Sequence, residues 1–186
     1  NSGNLLVFLP GISEIRKTEE KLKNELSDDS NIEICILHSS ISLEEQKHVL
    51  SPADKGKRRI ILSSAIAETS LTVPGVTCVI DSGLARVNRL NVNTGMENLV
   101  TETVSEFSAE QRKGRAGRLQ SGKCIRLWNQ FDVLQKELQP EILRTDLIKF
   151  VLECAERGIY DVSKIDLLDK PTVNAWNSAR KLLGEI

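Results

Sequence analysis

With 186 residues, 40% of them hydrophobic and 27% charged, the chain has the apolar content to build a core and is neither a disordered tail nor a membrane protein by composition. No apolar run approaches the roughly 20 residues that a membrane helix needs and no charged-then-apolar leader opens the chain, which predicts a cytoplasmic protein without a membrane partner. A net charge of -1 excludes a general electrostatic pull toward nucleic acid, so any such site has to be local.

Leu5–Leu9 is a continuous apolar run ended by Pro10-Gly11, the pattern of a strand buried on both faces. Ser13–Leu26 then places Ile15, Leu22 and Leu26 on one face of a predicted helix. The alternation continues with a strand over Ile32–Leu37, a helix over Leu43–Leu50, a strand over Arg59–Ser63 and, after the Pro74-Gly75 turn, a strand over Cys78–Asp81. Strands alternating with helices predict a parallel α/β sheet.

From Arg86 to Val104 the texture changes to two β-rich arms joined through Asn93-Thr94-Gly95, a hairpin signal. Gln111–Leu119 reads as a helix and Lys123–Trp128 as a strand with Ile125 and Leu127 buried. Beyond Gln139-Pro140, Glu141–Arg157 and Val173–Leu183 are helical patterns. The reading gives one α/β domain over residues 1–139 and the start of a helical unit over 140–186. Asn1-Ser2-Gly3 opens the sequence and Met96 is its only methionine, which predicts a piece excised from a longer protein.

Cys35, Cys78, Cys124 and Cys154 lie far apart in apolar stretches and predict buried free thiols. His38 and His48 have no sequence neighbours at metal-ligand spacing, so no metal site is expected. Gly117–Cys124 has the spacing of a phosphate-cradling loop, but Cys124 stands where a magnesium-binding hydroxyl belongs. The segment also runs from helix into strand, the reverse of such a loop, and is set aside.

The densest signal is Gln111-Arg112-Lys113-Gly114-Arg115-Ala116-Gly117-Arg118. On a helix, Gln111, Arg115 and Arg118 share one face, and Gly114 and Gly117 leave room for close approach. Two guanidiniums and an amide aimed one way suit phosphoryl oxygens; a solvated basic face is the alternative.

This stretch resembles motif VI of DEAH-box ATP-dependent helicases. Ser63–Val73, with the core Ala65-Ile66-Ala67-Glu68-Thr69-Ser70, is similar to their motif V, and Phe8–Ile15 to their motif IV. Leu37–Ser40 sits where a short strand-end motif occurs, and Pro140–Arg144 is similar to the start of the family's winged-helix region. Leu50–Ala53 and Pro140–Leu143 point to the bacterial HrpB-type branch.

The resemblance implies a second RecA-like domain: a parallel sheet flanked by helices, a β-hairpin insertion and the beginning of a winged-helix module. It implies ATP and Mg2+ held mainly by a first RecA-like domain, with Arg115 and Arg118 as arginine fingers and Gln111 near the attacking water. Ser70 and Thr72 would face the nucleotide, and Leu50 takes the place where the family often has an aromatic residue over the base; packing as core is the other reading of Leu50. Gly11, Ser64, Ala65 and Thr69 would face an RNA or DNA strand, although the family usually has Thr-Asn where this chain has Ser64-Ala65. The hairpin would separate or guide strands, or be structural. The chain alone is expected to be inactive, because it has neither a true phosphate-binding loop nor an Asp-Glu-Ala-His motif. The alternative is a RecA-like module that binds nucleic acid or protein without catalysis.

Overall fold

Four largely apolar runs and the short segment Lys123–Arg126 become the five strands of one parallel sheet: β1 (Asn4–Phe8), β2 (Ile32–Leu37), β3 (Arg58–Ser63), β4 (Val76–Asp81) and β7 (Lys123–Arg126), in the order β2-β3-β1-β4-β7. This computed structural model describes residues 3–69, 71–91, 96–118 and 121–184. Side chains alternate across each strand, so one run feeds two cores. Leu6, Phe8, Cys35, Leu37, Ile61 and Val79 join Val49 of α2 (Leu43–Leu50) and Ala116 in one cluster. Val7, Ile36, Ile60 and Leu62 meet Ile15 of α1 (Ile12–Glu25) in the other. Burial on both faces is why β1–β4 lack the apolar–polar alternation of a half-exposed sheet. The sequence-read bounds of β2 and α2 hold, and those of β1, β3 and β4 move by one or two residues.

α2 starts at Ser42, whose hydroxyl accepts from Glu45 N while Glu45 accepts from Ser42 N, a reciprocal cap that satisfies two free donors. The predicted burial of Ile125 and Leu127 is corrected: they are 44% and 62% exposed. β7 is an edge strand, paired with β4, and ends at Arg126. Its short length leaves Leu127 beyond the sheet. All four cysteines are free; Cys124 is half-buried where burial was expected.

The hairpin signal gives β5 (Leu84–Asn91) and β6 (Met96–Thr103), which pair with each other; Asn93, Thr94 and Gly95 lie outside the described residues. The chain divides into two compact units, Asn1–Arg86 with Thr101–Glu137, and Val87–Val100 with Leu138–Ile186. The outer part of the hairpin thus clusters with the helical segment.

Within the second unit, Arg144 donates from Nη1 to the carbonyl of Asn88 at 2.7 Å, and Glu97 accepts from Asp146 N at 2.8 Å. The single helix expected over Glu141–Arg157 is a 3-10 turn (Glu141–Leu143) followed by α4 (Ile148–Glu156). The break falls where the Asp146 carboxylate accepts from Ile148 N and competes with helix continuation. α4 packs on α5 (Val173–Gly184) through Val151, Cys154, Trp176 and Ala179, with Phe150 edge-on to Trp176. No helix among the described residues is long and apolar enough to cross a membrane.

Candidate nucleotide and nucleic-acid site

Parallel pairing puts every strand's C-terminus at one end of the sheet. Leu37, Ser63, Phe8, Asp81 and Arg126 stand side by side there in register. The loops that leave this row carry Gly11, Ser64, Ala65 and Thr69, as open α/β sheets place ligand sites beyond strand C-termini. Gly11 follows β1 and is the N-cap of α1, with no side chain to cap it and Arg86 against it. Half-buried Ser64 follows β3 and precedes a 3-10 turn (Ala65–Ala67); its side chain makes no capping bond there. Ala65 and Thr69 are exposed.

The basic segment is built differently from the single helix expected over Gln111–Leu119. α3 spans Glu106–Lys113, starts on Ser105, whose hydroxyl accepts from Ser108 N, and ends at Gly114. Arg115 and Arg118 therefore sit in the turns after the helix, where Arg115 N and Ala116 N donate to the carbonyls of Arg112 and Lys113. Leu119 lies outside the described residues. The one-face argument for Gln111, Arg115 and Arg118 does not survive this: Gln111 stays on α3, half-buried, and is not among the described residues lining the cavity below. The helix start was signalled by the Ser105 cap, which sequence reasoning passed over.

Arg115 and Arg118 converge instead through the turn. With Leu6, Thr72, Val73, Gly75 and Val76 they line a cavity of about 470 Å³, within the usual range for ligand pockets. Arg115 is buried and donates to the carbonyl of Leu71 at 2.9 Å; Arg118 is exposed and donates to Thr72 Oγ1 at 2.8 Å. Burial, then the neighbouring Arg118 charge, pulls the Arg115 guanidinium below its ordinary value against an opposing effect of Glu68. No carboxylate is among the described residues of the lining. Two guanidiniums that donate here, among the described residues, to neutral oxygens suit an anion with several oxygens. A side chain at Gly117 would meet none of the described residues within 4 Å, whereas Gly114 is in ordinary contact with its own helix.

Ser70 lies outside the described residues. Leu50 is half-buried at the end of α2 and packs against the first core cluster. Lys123 opens β7, so the loop-like run from Gly117 does lead into a strand.

Sequence reasoning missed Arg112. This guanidinium is wholly buried, donating from Nε to Glu68 Oε1 at 2.6 Å and from Nη1 to Asp81 Oδ1 at 2.8 Å and to the Leu84 carbonyl at 3.1 Å. Nη2 contacts the same Glu68 oxygen without a hydrogen bond of its own. The ring of Phe8 lies 4.9 Å from the guanidinium carbon. Nothing in the local sequence separates Arg112 from the exposed Lys113 beside it; only the partners, 31 and 44 positions away, do.

The fold also brings Glu33, Cys35 and His48 together, correcting the expectation that His48 stands apart from acids and thiols. Glu33 and Cys35 are two apart on β2, and α2 lays His48 over them. The carboxylate is engaged on both oxygens, by Arg59 Nε at 2.8 Å and His48 Nε2 at 2.6 Å. Arg59 also donates to the carbonyls of His48 and Ser51. A fixed cation at the centre makes this an ion-pair network rather than a cage for a metal ion. Burial, with the Glu33 charge, pushes the Cys35 thiol up to about 12.

Burial by itself would raise the Glu33 carboxyl, but the bonds from Arg59 and His48 outweigh it and bring it from an ordinary 4.5 to about 2. A depressed folded-state value gives stability that is complete above the unfolded value and lost as pH falls through the folded one. Urea denaturation between pH 6 and 2 is expected to show this loss opening near 4.5 and continuing toward 2, and Glu33→Gln is expected to flatten that limb.

Comparison with known proteins agrees with this architecture. The helicase conserved C-terminal domain family matches residues 1–120. The ATP-dependent RNA helicase HrpB of Escherichia coli (strain K12) is 38% identical over 184 residues, covering 98% of this chain and 22% of that protein. The ATP-dependent RNA helicase HrpA of the same organism is 39% identical over 186 residues, covering 99% of this chain and 14% of that protein. A crystal structure of Escherichia coli DEAH/RHA helicase HrpB superposes with a TM-score of 0.92 at 37% identity, covering 99% of this chain and 24% of that one. This chain thus spans about a quarter or less of the relatives it matches. With its parallel sheet, strand-end loops and paired arginines, the chain belongs to the helicase conserved C-terminal domain family and is similar over nearly all its length to the DEAH-box proteins of the HrpB and HrpA type.

Proposed function

We propose that this chain is the second RecA-like domain of an ATP-dependent RNA helicase and supplies half of a composite ATPase site. The observation that carries the reading is the pair Arg115 and Arg118 on a cavity whose described lining holds no acid. When bound, ATP supplies the phosphoryl group whose transfer to water drives the motor. Arg115 and Arg118 would face its oxygens and stabilise the negative charge that spreads over them in the transition state, Thr72 orienting Arg118 through their hydrogen bond. Gln111 would assist at the attacking water and Ser70 and Leu50 at the nucleotide. Mg2+ would be held by the first RecA-like domain, since no carboxylate is among the described cavity-lining residues here.

Gly11, Ser64, Ala65 and Thr69 would offer backbone amides and hydroxyls to nucleic-acid phosphates, contacts that position a strand without reading its bases. RNA is favoured over DNA because the similar proteins are RNA helicases. Residues 140–186 would begin a winged-helix module. The reading is tested by Mg2+-ATP turnover of this chain alone and of the full-length protein containing it. The full-length protein is expected to turn over ATP faster with RNA, and the chain alone not to turn it over at all; Mg2+-dependent hydrolysis by the pure chain sinks the composite site.

A further inference from the structure

We propose that the free edge of β2 is a docking site for an extended, basic peptide segment of a protein partner, which adds to the sheet as a further strand. The proposal goes beyond the ATPase reading and stands apart from it, because the groove at this edge shares no described lining residue with the cavity of Arg115 and Arg118.

Among the described residues, β2 pairs with β3 alone and so stands at one end of the sheet. Arg58 N donates to the Asn31 carbonyl, and the register partner of Arg58 is Ile32. Main-chain groups alternate between the two sides of a parallel strand, so those of Glu33, Cys35 and Leu37 turn to β3. Those of Ile34 and Ile36 turn to the open edge, where no backbone bond reaches them among the described residues. A groove of about 390 Å³ opens there. It is lined by Glu33 and Cys35 from the α2 face of the strand, by Ile34 and Ile36 from the α1 face, and by residues of both helices. The two helices cover opposite faces of the sheet, so a groove that touches all of these lies beyond the strand's edge.

The lining selects the occupant. Ile34, Ile36 and Ile41 make an apolar wall on the α1 side. Four carboxylates, Glu19, Glu33, Glu44 and Glu45, stand against one guanidinium, Arg16, which is already bonded to Glu19 at 3.0 Å. Arg59 and His48 take up Glu33. Glu44 and Glu45 are exposed in the first turn of α2 and form no ion pair among the described residues. An open edge invites pairing with another chain; acids along its rim admit a basic strand and turn away both nucleic acid and a second copy of the same edge. A segment with lysine or arginine at alternate positions and β-branched residues between them meets the acids with one side and the isoleucines with the other. Its main chain bonds to Ile34 and Ile36, the source of affinity in strand addition.

The test is binding of fluorescein-labelled octapeptides to the full-length protein, followed by anisotropy, with hydrogen exchange of the β2 amides followed by mass spectrometry. A peptide of alternating lysine and valine is expected to bind and to slow exchange in β2. It is expected to bind roughly ten-fold or more tightly than an equally charged lysine–proline peptide, which lacks every second N–H, a difference that two net hydrogen bonds supply. A glutamate–valine peptide is expected not to bind. Ile34→Pro sets a ring on the open edge without taking a bond from β3 and is expected to abolish binding. Glu44→Lys leaves the Ser42–Glu45 cap intact and is expected to weaken binding roughly five-fold, the size of one exposed charge pair. Should Ile34→Pro fail to fold, Glu44→Lys and the peptide comparison carry the test. Arg118→Ala is expected to bind the peptide as wild type does, whatever its effect on ATP turnover. Equal binding of the valine and proline peptides, binding of neither, or β2 amides already protected without peptide because a second copy or another part of the protein covers the edge overturns the proposal.

Discussion

Replacing Arg118 by alanine in the full-length protein is expected to lower RNA-stimulated ATP turnover by roughly 10³-fold or more, the effect usual for an arginine supplied to a phosphoryl-transfer site by a moving element. The expectation follows from its placement. Arg118 is exposed, donates to Thr72 Oγ1, and lines a cavity it shares with a second, buried guanidinium. Such a side chain contributes little to folding, so its loss should leave the melting temperature of the chain nearly unchanged. Arg115 differs: buried and bonded to the Leu71 carbonyl, its removal should affect stability and turnover together. The measurement is kcat at saturating ATP and RNA with nucleotide binding checked separately. Unchanged kcat in Arg118→Ala would assign the arginine pair to binding or structure.

The second large effect concerns stability. Arg112→Ala should cost about 3–5 kcal/mol, because it leaves Asp81, wholly buried, and Glu68, largely so, without their counter-charge. Lys113→Ala, one residue further along α3, removes an exposed ion pair with Glu110 and should cost less than about 0.5 kcal/mol. Urea denaturation of this chain compares the two directly. Similar losses would mean that the buried cluster relaxes or admits water when the guanidinium goes.

Adjacent arginine and lysine with such unequal prospects show what was legible in the sequence. Strands buried on both faces announce themselves as unbroken apolar runs, so Leu5–Leu9 and Ile32–Leu37 were readable within a residue or so. β7 was readable as a strand, but its place at the sheet edge was not, and the exposure of Ile125 and Leu127 depends on that place. The 111–118 stretch advertised its charge, and Arg115, Arg118 and Thr72 do converge. They do so through a turn after α3 rather than along one helical face, because the Ser105 cap starts the helix early and Gly114 ends it. The partners of Arg112 and the meeting of Glu33, Cys35 and His48 are products of tertiary contact, which no local spacing encodes.

The strand order also dictates when the sheet can form. β1 lies at its centre, yet its neighbours are β3 and β4, so residues 4–8 leave the ribosome long before residues 58–63 exist to pair with them. The β5–β6 hairpin, by contrast, closes over a short span and can form on its own within microseconds. During synthesis this central apolar segment therefore waits as an unpaired strand, exposed to aggregation and to chaperones, until β3 and β4 have emerged.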